Sequence, residues 1–447
     1  MLKRGVPAAG TLGGSVPSPA MLASHLSLVL LFVVSIFNYT DRYMIAILLP
    51  GIKRDFHLSD TQMGFLTGVA FTIFYVVAGI PIARIADKYS RKKLLALALA
   101  VWSLTTAACG LAQNFVQLAI MRTLVGIGEA GSSPPCYSLI SDLYPSKQRA
   151  TAMAIYLAGA PTGILIGFIL GGWLTEQYGW RVALVAVGAP GLLFALVLAK
   201  LLKDPRRGQM DPPQESAQPV RFATGLATLL SKPTFWHVAL GTAFYNALIV
   251  AYVNWLPSFF VRSHGLGIRR TGLLLALVMG PSQLIGVIVG GFLADRLGKR
   301  DVRWYLNFPA AAILLAAPIF MLSLTLVSAN LALLCLFVPL FVGVMQTSPP
   351  FAVTHSLVDV RMRAVASAVL ILIINVISGG LGPITVGFIS DLLQPTFGAQ
   401  SLRYALLLVT PAFSIWASVH FFVAGRHIRK DLGRKGDTAC ETVRSAC

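Results

Sequence analysis

The sequence predicts an all-α membrane protein of twelve transmembrane helices, arranged as two six-helix halves. Three observations carry that prediction. Of 447 residues, 56% are hydrophobic and 12% are charged, with a mean hydropathy of +0.74, whereas a soluble domain carries about 25% charged residues. Twelve stretches reach the roughly 20 mostly apolar residues that a helix needs to cross the hydrocarbon. Short motifs recur at corresponding places in the first and last six of them, as in a duplicated unit.

Residues 1–23 are too polar and too rich in Gly and Pro for a cleaved secretory signal, and read as a disordered arm. The first half follows over 24–203. Its spans are 24–50, which carries Asn38, Tyr39, Asp41 and Arg42; 61–85; 92–112, entered through the basic loop ARIADKYSRKK; 114–140, which carries Arg122 and Glu129; 150–174; and 181–202. The fifth repeats glycine every fourth residue, at Gly159, Gly163, Gly167 and Gly171, which permits close helix packing. Residues 204–233 concentrate Pro, Gln and both charge signs and read as a solvated cytoplasmic linker. The second half, 234–428, holds spans 234–260, 271–294 (with Gly286 and Gly290), 304–326, 329–353, 364–389 and 402–425, before a cytoplasmic tail at 429–447.

The net charge of +19 is distributed by membrane side, not gathered for nucleic acid. With the N-terminus in the cytoplasm, 27 of the 36 Lys and Arg fall on the inner side and 7 on the outer, and Arg42 and Arg122 within spans complete the set. That asymmetry predicts both termini in the cytoplasm, and a plasma (inner) membrane is the expected location. Five cysteines, Cys109, Cys136, Cys335, Cys440 and Cys447, have neither disulfide nor metal spacing. No Gly-rich phosphate loop, His-Glu-x-x-His or nucleophile elbow is present, so neither an enzyme nor a cofactor is expected.

The repeat is specific. Asp87 in the loop after the second span is matched by Asp295 after the eighth, SSPP at 132–135 by TSPP at 347–350, and RATA at 149–152 by RAVA at 363–366. The pattern Gly291, Asp295, Arg296, Gly298, Lys299, Arg300 resembles the loop signature of the major facilitator superfamily, and residues 83–93 repeat it with Ala83 and Ser90 at the glycine positions. The resemblance implies two six-helix bundles that rock about a central cavity. It also implies that the loop aspartates, with Arg91, Arg149, Arg296 and Arg363, gate the cytoplasmic side. Asp87 would meet the start of the eleventh span near Arg361 and Arg363, and Asp295 the start of the fifth near Arg149.

Residues 38–66 and 122–150, with Gly126-Ile-Gly128-Glu129-Ala130 and Ser-Asp-Leu-Tyr at 141–144, are similar to the Spinster family. That likeness implies transport of lysophospholipids or sphingosine-1-phosphate. An Asn-Tyr-x-Asp-Arg first helix and an Arg…Glu-Ala-Gly fourth helix also occur in anion:cation symporters of organic acids, and GAPTG around Pro161 partly matches the antiporter signature of drug exporters. A small organic anion or a drug therefore stays open as substrate, and a lipid receptor or scaffold as another class of function.

Asp41, Arg42, Arg122 and Glu129 interrupt apolar spans, and charges there by default mark ion or substrate paths. Arg122 and Glu129, seven residues apart, share a helix face about 10 Å apart along the axis. Depth counting puts Asp41 and Arg122 level and predicts that they pair. Arg42, about 100° round its helix, faces the cavity, where an anionic head group or Glu129 meets it. Glu129 and then Asp41 are the expected proton carriers. Arg42, Arg122, Asn38, Tyr39, Tyr245 and Asn246 are the expected contacts of an amphipathic anion. Phe244, Tyr156, Tyr252, Trp255, Gln346, Thr347 and Asn375 are further wall candidates, His237 is placed at the surface, and a monomer is expected.

Overall fold

The computed structural model describes residues 19–210, 222–359 and 362–444, and among them every regular element is helical. Among the described residues, nine helical stretches are long and apolar enough to cross a membrane. Two of these, Lys147–Leu201 and Val365–Gly433, contain two expected spans each. The fourth expected span falls outside the nine, in helical pieces of 15 and 11 residues; counted with it, the passes number twelve.

The first half comprises α1 (Pro19–Phe56), α2 (Asp60–Thr67), α3 (Val69–Lys88), α4 (Arg91–Cys109), α5 (Phe115–Glu129), α6 (Ser133–Leu143), α7 (Ser146–Leu157) and α8 (Gly159–Leu201). After α9 (Phe222–Leu230) come α10 (Pro233–His264), α11 (Ile268–Gly298), α12 (Trp304–Thr325), α13 (Ala329–Met345), α14 (Ser348–Ser356), α15 (Arg363–Phe397) and α16 (Ser401–Arg444). Side-chain caps define several starts. Ser59 and Gln62 form a reciprocal capping box on α2, and Ser90 and Asn114 accept the backbone N–H of Lys93 and Gln117 at α4 and α5. Helix α8 breaks at Gly179, whose φ of 83° only glycine adopts freely, between the fifth and sixth spans.

The repeated SSPP and TSPP motifs are helix breaks. Prolines lack the N–H that would continue the ladder, so they sit at the start of the following helix. Thus α5 stops at Glu129 and α6 restarts with Pro134 and Pro135; α13 stops at Met345 and α14 restarts with Pro349 and Pro350.

The glycine stripe of the fifth span packs on α1. A β-carbon at Gly163 would sit 2.6 Å from Ile36 O, and Thr40 donates its hydroxyl to Gly163 O at 3.0 Å. In the eighth span Gly286 and Gly290 do the same against Phe341 and Met345 of α13.

Two expected loops are more ordered than composition implied. Helix α1 begins at Pro19, inside the expected arm, because the apolar run pulls its first turn into helix. The linker's first residues are pinned: Arg91, 1% exposed, pairs with Asp142 and Asp204 and donates to Pro205 O at 2.6 Å. Gly208 N–H donates to Asp142 at 2.9 Å, and Arg207 caps α3 through Ala86 O and Tyr89 O.

Candidate functional site

A cavity of ≈ 410 Å³ lies between the halves. The first half lines it with Tyr39, Arg42, Phe71 and Tyr75, and the second with carboxamides, Asn246, Asn254, Gln283, Gln346 and Asn375, and with Ser378. Asn246 donates to Ser378 at 2.9 Å, which fixes one of those amides.

Arg42 is the cation that reaches this wall, its side chain 21% exposed. Its guanidinium lies 4.7, 4.8 and 5.4 Å from the ring centres of Phe71, Tyr75 and Tyr39, so the aromatic faces share the cost of holding a charge at this depth. Behind it Glu129 is wholly buried. Arg42 donates to Glu129 Oε2 from Nη2 at 2.7 Å and from Nε at 3.1 Å, and Asn38 Nδ2 adds a third bond at 3.0 Å. The other oxygen, Oε1, has no hydrogen-bond partner among the described residues.

The expected Asp41–Arg122 pair does not form. Asp41 Oδ2 accepts from Thr106 Oγ1 at 3.4 Å and Oδ1 has no partner, while Arg122 stands over Phe71, 5.4 Å from its centre, with Nε unpartnered. Depth counting set these two level but could not set how each helix is rotated about its axis. That rotation gives the carboxylate to Arg42. Asn38 supports Glu129 from behind instead of lining the cavity, and Tyr245 is buried in the second half with its hydroxyl near Gly343.

Other wall candidates are core. Tyr252 bonds Thr410 and stacks on Phe320, Trp255 donates to Pro383 O at 2.9 Å, and Phe244 stacks on His420. Tyr156 packs edge-on against Tyr137. Half-buried His237 is not a lone surface residue: its Nδ1 lies 2.8 Å from that of His420, and its ring stacks on His427.

The expected cytoplasmic gate is only partly visible. The side chains of Asp87 and Asp295, and residue Arg361, lie outside the described residues. Arg91 ties its own half together, as above, and Arg149 donates to Ser141 O in the same half at 2.8 Å. Arg296 and Arg363 are exposed.

Hydrogen bonds between the halves gather at the opposite end, on two carboxylates that sequence reasoning passed over. Buried Asp60 receives Arg262 as a two-pronged pair at 2.7 and 2.8 Å, Ser390 at 2.6 Å, and Lys53 of its own half. Asp391, at the end of the eleventh span, accepts the backbone N–H of Asp60 at 2.8 Å and of Thr61 at 2.7 Å, and the Thr61 hydroxyl at 2.6 Å. A carboxylate from one half thus caps the N-terminus of α2 in the other, where the free N–H groups and the helix dipole favour an anion. The Ser59-x-x-Gln62 capping signature and the scarcity of charge on that side were the available signals.

Residues 31–383 match the Major Facilitator Superfamily. An "MFS-type efflux pump" of Mycolicibacterium smegmatis is 33% identical over 402 residues, 90% of this chain and 92% of the pump. A "Hexuronate transporter" of Bacillus subtilis is 26% identical over 434 residues, 92% of this chain and 96% of that one. The fold superposes with a TM-score of 0.84, at 28% identity, on the crystal structure of a bacterial homologue of the human lysosomal transporter Spinster in an inward-facing, unoccupied conformation. That match covers 93% of this chain and 99% of the other.

Proposed function

We propose that this chain, which belongs to the Major Facilitator Superfamily and is a transporter, not an enzyme, moves an amphipathic anion by alternating access and couples it to a proton. The observation that carries this reading is the bond from Arg42, at the cavity wall, to Glu129, buried behind it. An anionic head group entering the cavity competes with Glu129 for the same guanidinium. A carboxylate that loses its arginine in a dry site binds a proton more readily, so substrate binding and protonation favour one another. Oε1, free of partners, is the atom that takes the proton, and Asp41 is a second candidate.

The two halves, 24–203 and 234–428, act as the rocking units, with Asp60 and Asp391 holding the outer end shut. Both termini then lie in the cytoplasm, and the protein works as a monomer in the plasma membrane. Similarity to a Spinster homologue supports a lysolipid or sphingoid phosphate as the anion, its head group at Arg42 and its chain leaving toward the bilayer. A specific observation favours a second reading, a small hydroxylated organic anion. The cavity volume is near the low end for ligand sites, about 300–1,000 Å³, and its far wall carries carboxamides that suit hydroxyls. The similarity to a hexuronate transporter points the same way.

The test is uptake and efflux in liposomes under an imposed pH gradient, comparing lysophosphatidic acid, sphingosine-1-phosphate and glucuronate. Arg42→Ala should lose transport, and Glu129→Gln should retain exchange but no longer respond to the gradient. Gradient-driven transport undiminished in both variants would refute the mechanism.

A further inference from the structure

Beside the clasped ends of the halves lies a second recess of ≈ 800 Å³, distinct from the central cavity. Both halves build its wall, with Lys53, Arg54, His57 and Glu176 from the first and Arg262 from the second. Basic side chains predominate, and Glu176 is the single acid among its lining residues. Lys53 and Arg262 are the two cations that hold Asp60. Arg54 and His57 are exposed and make no ion pair or hydrogen bond among the described residues, although Arg54 interacts electrostatically with its neighbour Asp55.

The chain holds His57 in an unfavourable conformation. Leu58 N–H donates to Lys53 O at 3.1 Å, closing the end of α1 in a Schellman turn. That turn sets His57 at φ 52°, and it is the one non-glycine residue with positive φ among those described. Glycine is the usual occupant of this position, because a β-carbon in the left-handed region crowds the following carbonyl oxygen. Here the turn brings an imidazole to the wall that Arg54 also lines.

A recess in which basic side chains outnumber the acidic one raises the local concentration of anions. We infer that this recess is an outer subsite for the anionic group of the transported molecule, a phosphate monoester or a carboxylate, and that its occupancy releases the clasp between the halves. The inference rests on the anionic substrate and the orientation proposed above. An anion held by Arg54 and His57 shares the recess with Lys53 and Arg262 and competes with Asp60 for them. Taking Arg262 from Asp60 weakens the attachment of α2 to α10, and taking Lys53 removes a second cation that holds Asp60 in place. Glu176 opposes entry, so the site answers to a strongly charged group in preference to a weakly charged one.

The test uses the full chain in liposomes, with the native cysteines replaced and Ser390, fully buried at the clasp, changed to Cys. The rate of its modification by a membrane-impermeant maleimide is measured alone, with inorganic phosphate, with dodecyl phosphate, and with dodecyltrimethylammonium. The anions should raise the rate about 5-fold or more, the lower end of coupling between sites, and the cation should not. In R54A/H57G, where glycine suits the turn, that response should vanish. A response to dodecyl phosphate alone identifies a lipid head group as the ligand, and one to both identifies the free anion. No acceleration by either anion, or acceleration undiminished in R54A/H57G, overturns the subsite. Transport by the same preparations separates the two readings: if labelling is unresponsive while Arg42→Ala still abolishes transport, the subsite falls and the central site stands.

Discussion

Arg42 and Glu129 meet through a single carboxylate oxygen: Nε at 3.1 Å and Nη2 at 2.7 Å both donate to Oε2, and Oε1 is left without a partner. The arginine faces the cavity and the acid does not, so each can be removed with a different consequence.

Removing the arginine strands a buried carboxylate. Arg42→Ala should destabilise the protein by about 3–5 kcal/mol, as breaking a buried pair does. Adding Glu129→Gln should restore part of that loss, because no charge is then stranded. Thermal unfolding of both single variants and the double closes the cycle. Additive losses within about 0.3–0.5 kcal/mol would show that the two side chains are not coupled.

Asp391 caps α2 from the other half, so its removal should open the clasped end instead of unfolding the protein. Asp391→Ala loses three bonds to one carboxylate. Hydrogen bonds to charged groups are worth about 1.5–3 kcal/mol each, enough to shift a balanced two-state equilibrium strongly. Spin labels at exposed Gln177 and Ala399, one on each half, should report a longer distance. An unchanged distance distribution would exclude Asp391 from the clasp.

The same end can be opened by bulk alone. A β-carbon on Gly64 would lie 2.5 Å from Pro383 O and 2.8 Å from Ile384 Cα, backbone atoms that cannot rotate aside. Gly64→Ala should therefore lengthen the same label distance. Gly79→Ala, with nothing within 4 Å of the added carbon, should stay within about 0.5 kcal/mol of the parent and leave the distance unchanged.

Arg91 should behave as a structural tie. It donates to Ser138 Oγ at 2.9 Å and to Pro205 O at 2.6 Å, besides pairing with Asp142 and Asp204. A lysine has no planar fork to serve these partners. Arg91→Lys should lower the melting temperature and expose Lys203 and Arg206 to trypsin, with Arg91→Ala losing more. Unchanged cleavage would mean that the linker is held by other contacts.

Asp301, in the turn between α11 and α12, accepts the Arg303 backbone N–H at 3.0 Å and pairs with Arg429 at 2.6 Å. These contacts, the backbone bond first, hold its carboxyl below the usual carboxylate range. Its contribution is complete above the ordinary carboxylate pKa and is lost as the pH falls through the lowered folded value. The melting difference between wild type and Asp301→Asn should thus be present at pH 7 and shrink below about pH 4. A difference that persists at low pH would assign the effect to packing.

The spans were legible because hydrophobicity is summed over some twenty neighbouring residues and survives an error in any one. The helix breaks were written in SSPP and TSPP, since proline acts on its own backbone. Less could be read in the linker: its composition indicated a solvated segment, but Arg91 and Asp142, far from it in sequence, pin residues 204–208.

The sequence by itself determined the class of the protein, its twelve passes, its internal repeat and the suspicion that falls on Asp41, Arg42, Arg122 and Glu129. It could not choose which arginine takes which acid, because adjacent residues on a helix point about 100° apart and the choice depends on how each helix is turned. Only the tertiary structure gave Glu129 to Arg42 and left Arg122 over Phe71. It alone brought Asp60 to Arg262, and Asp391 to the start of α2. Those contacts join residues hundreds of positions apart, and their geometry is set by how two preformed halves dock, which no local pattern encodes.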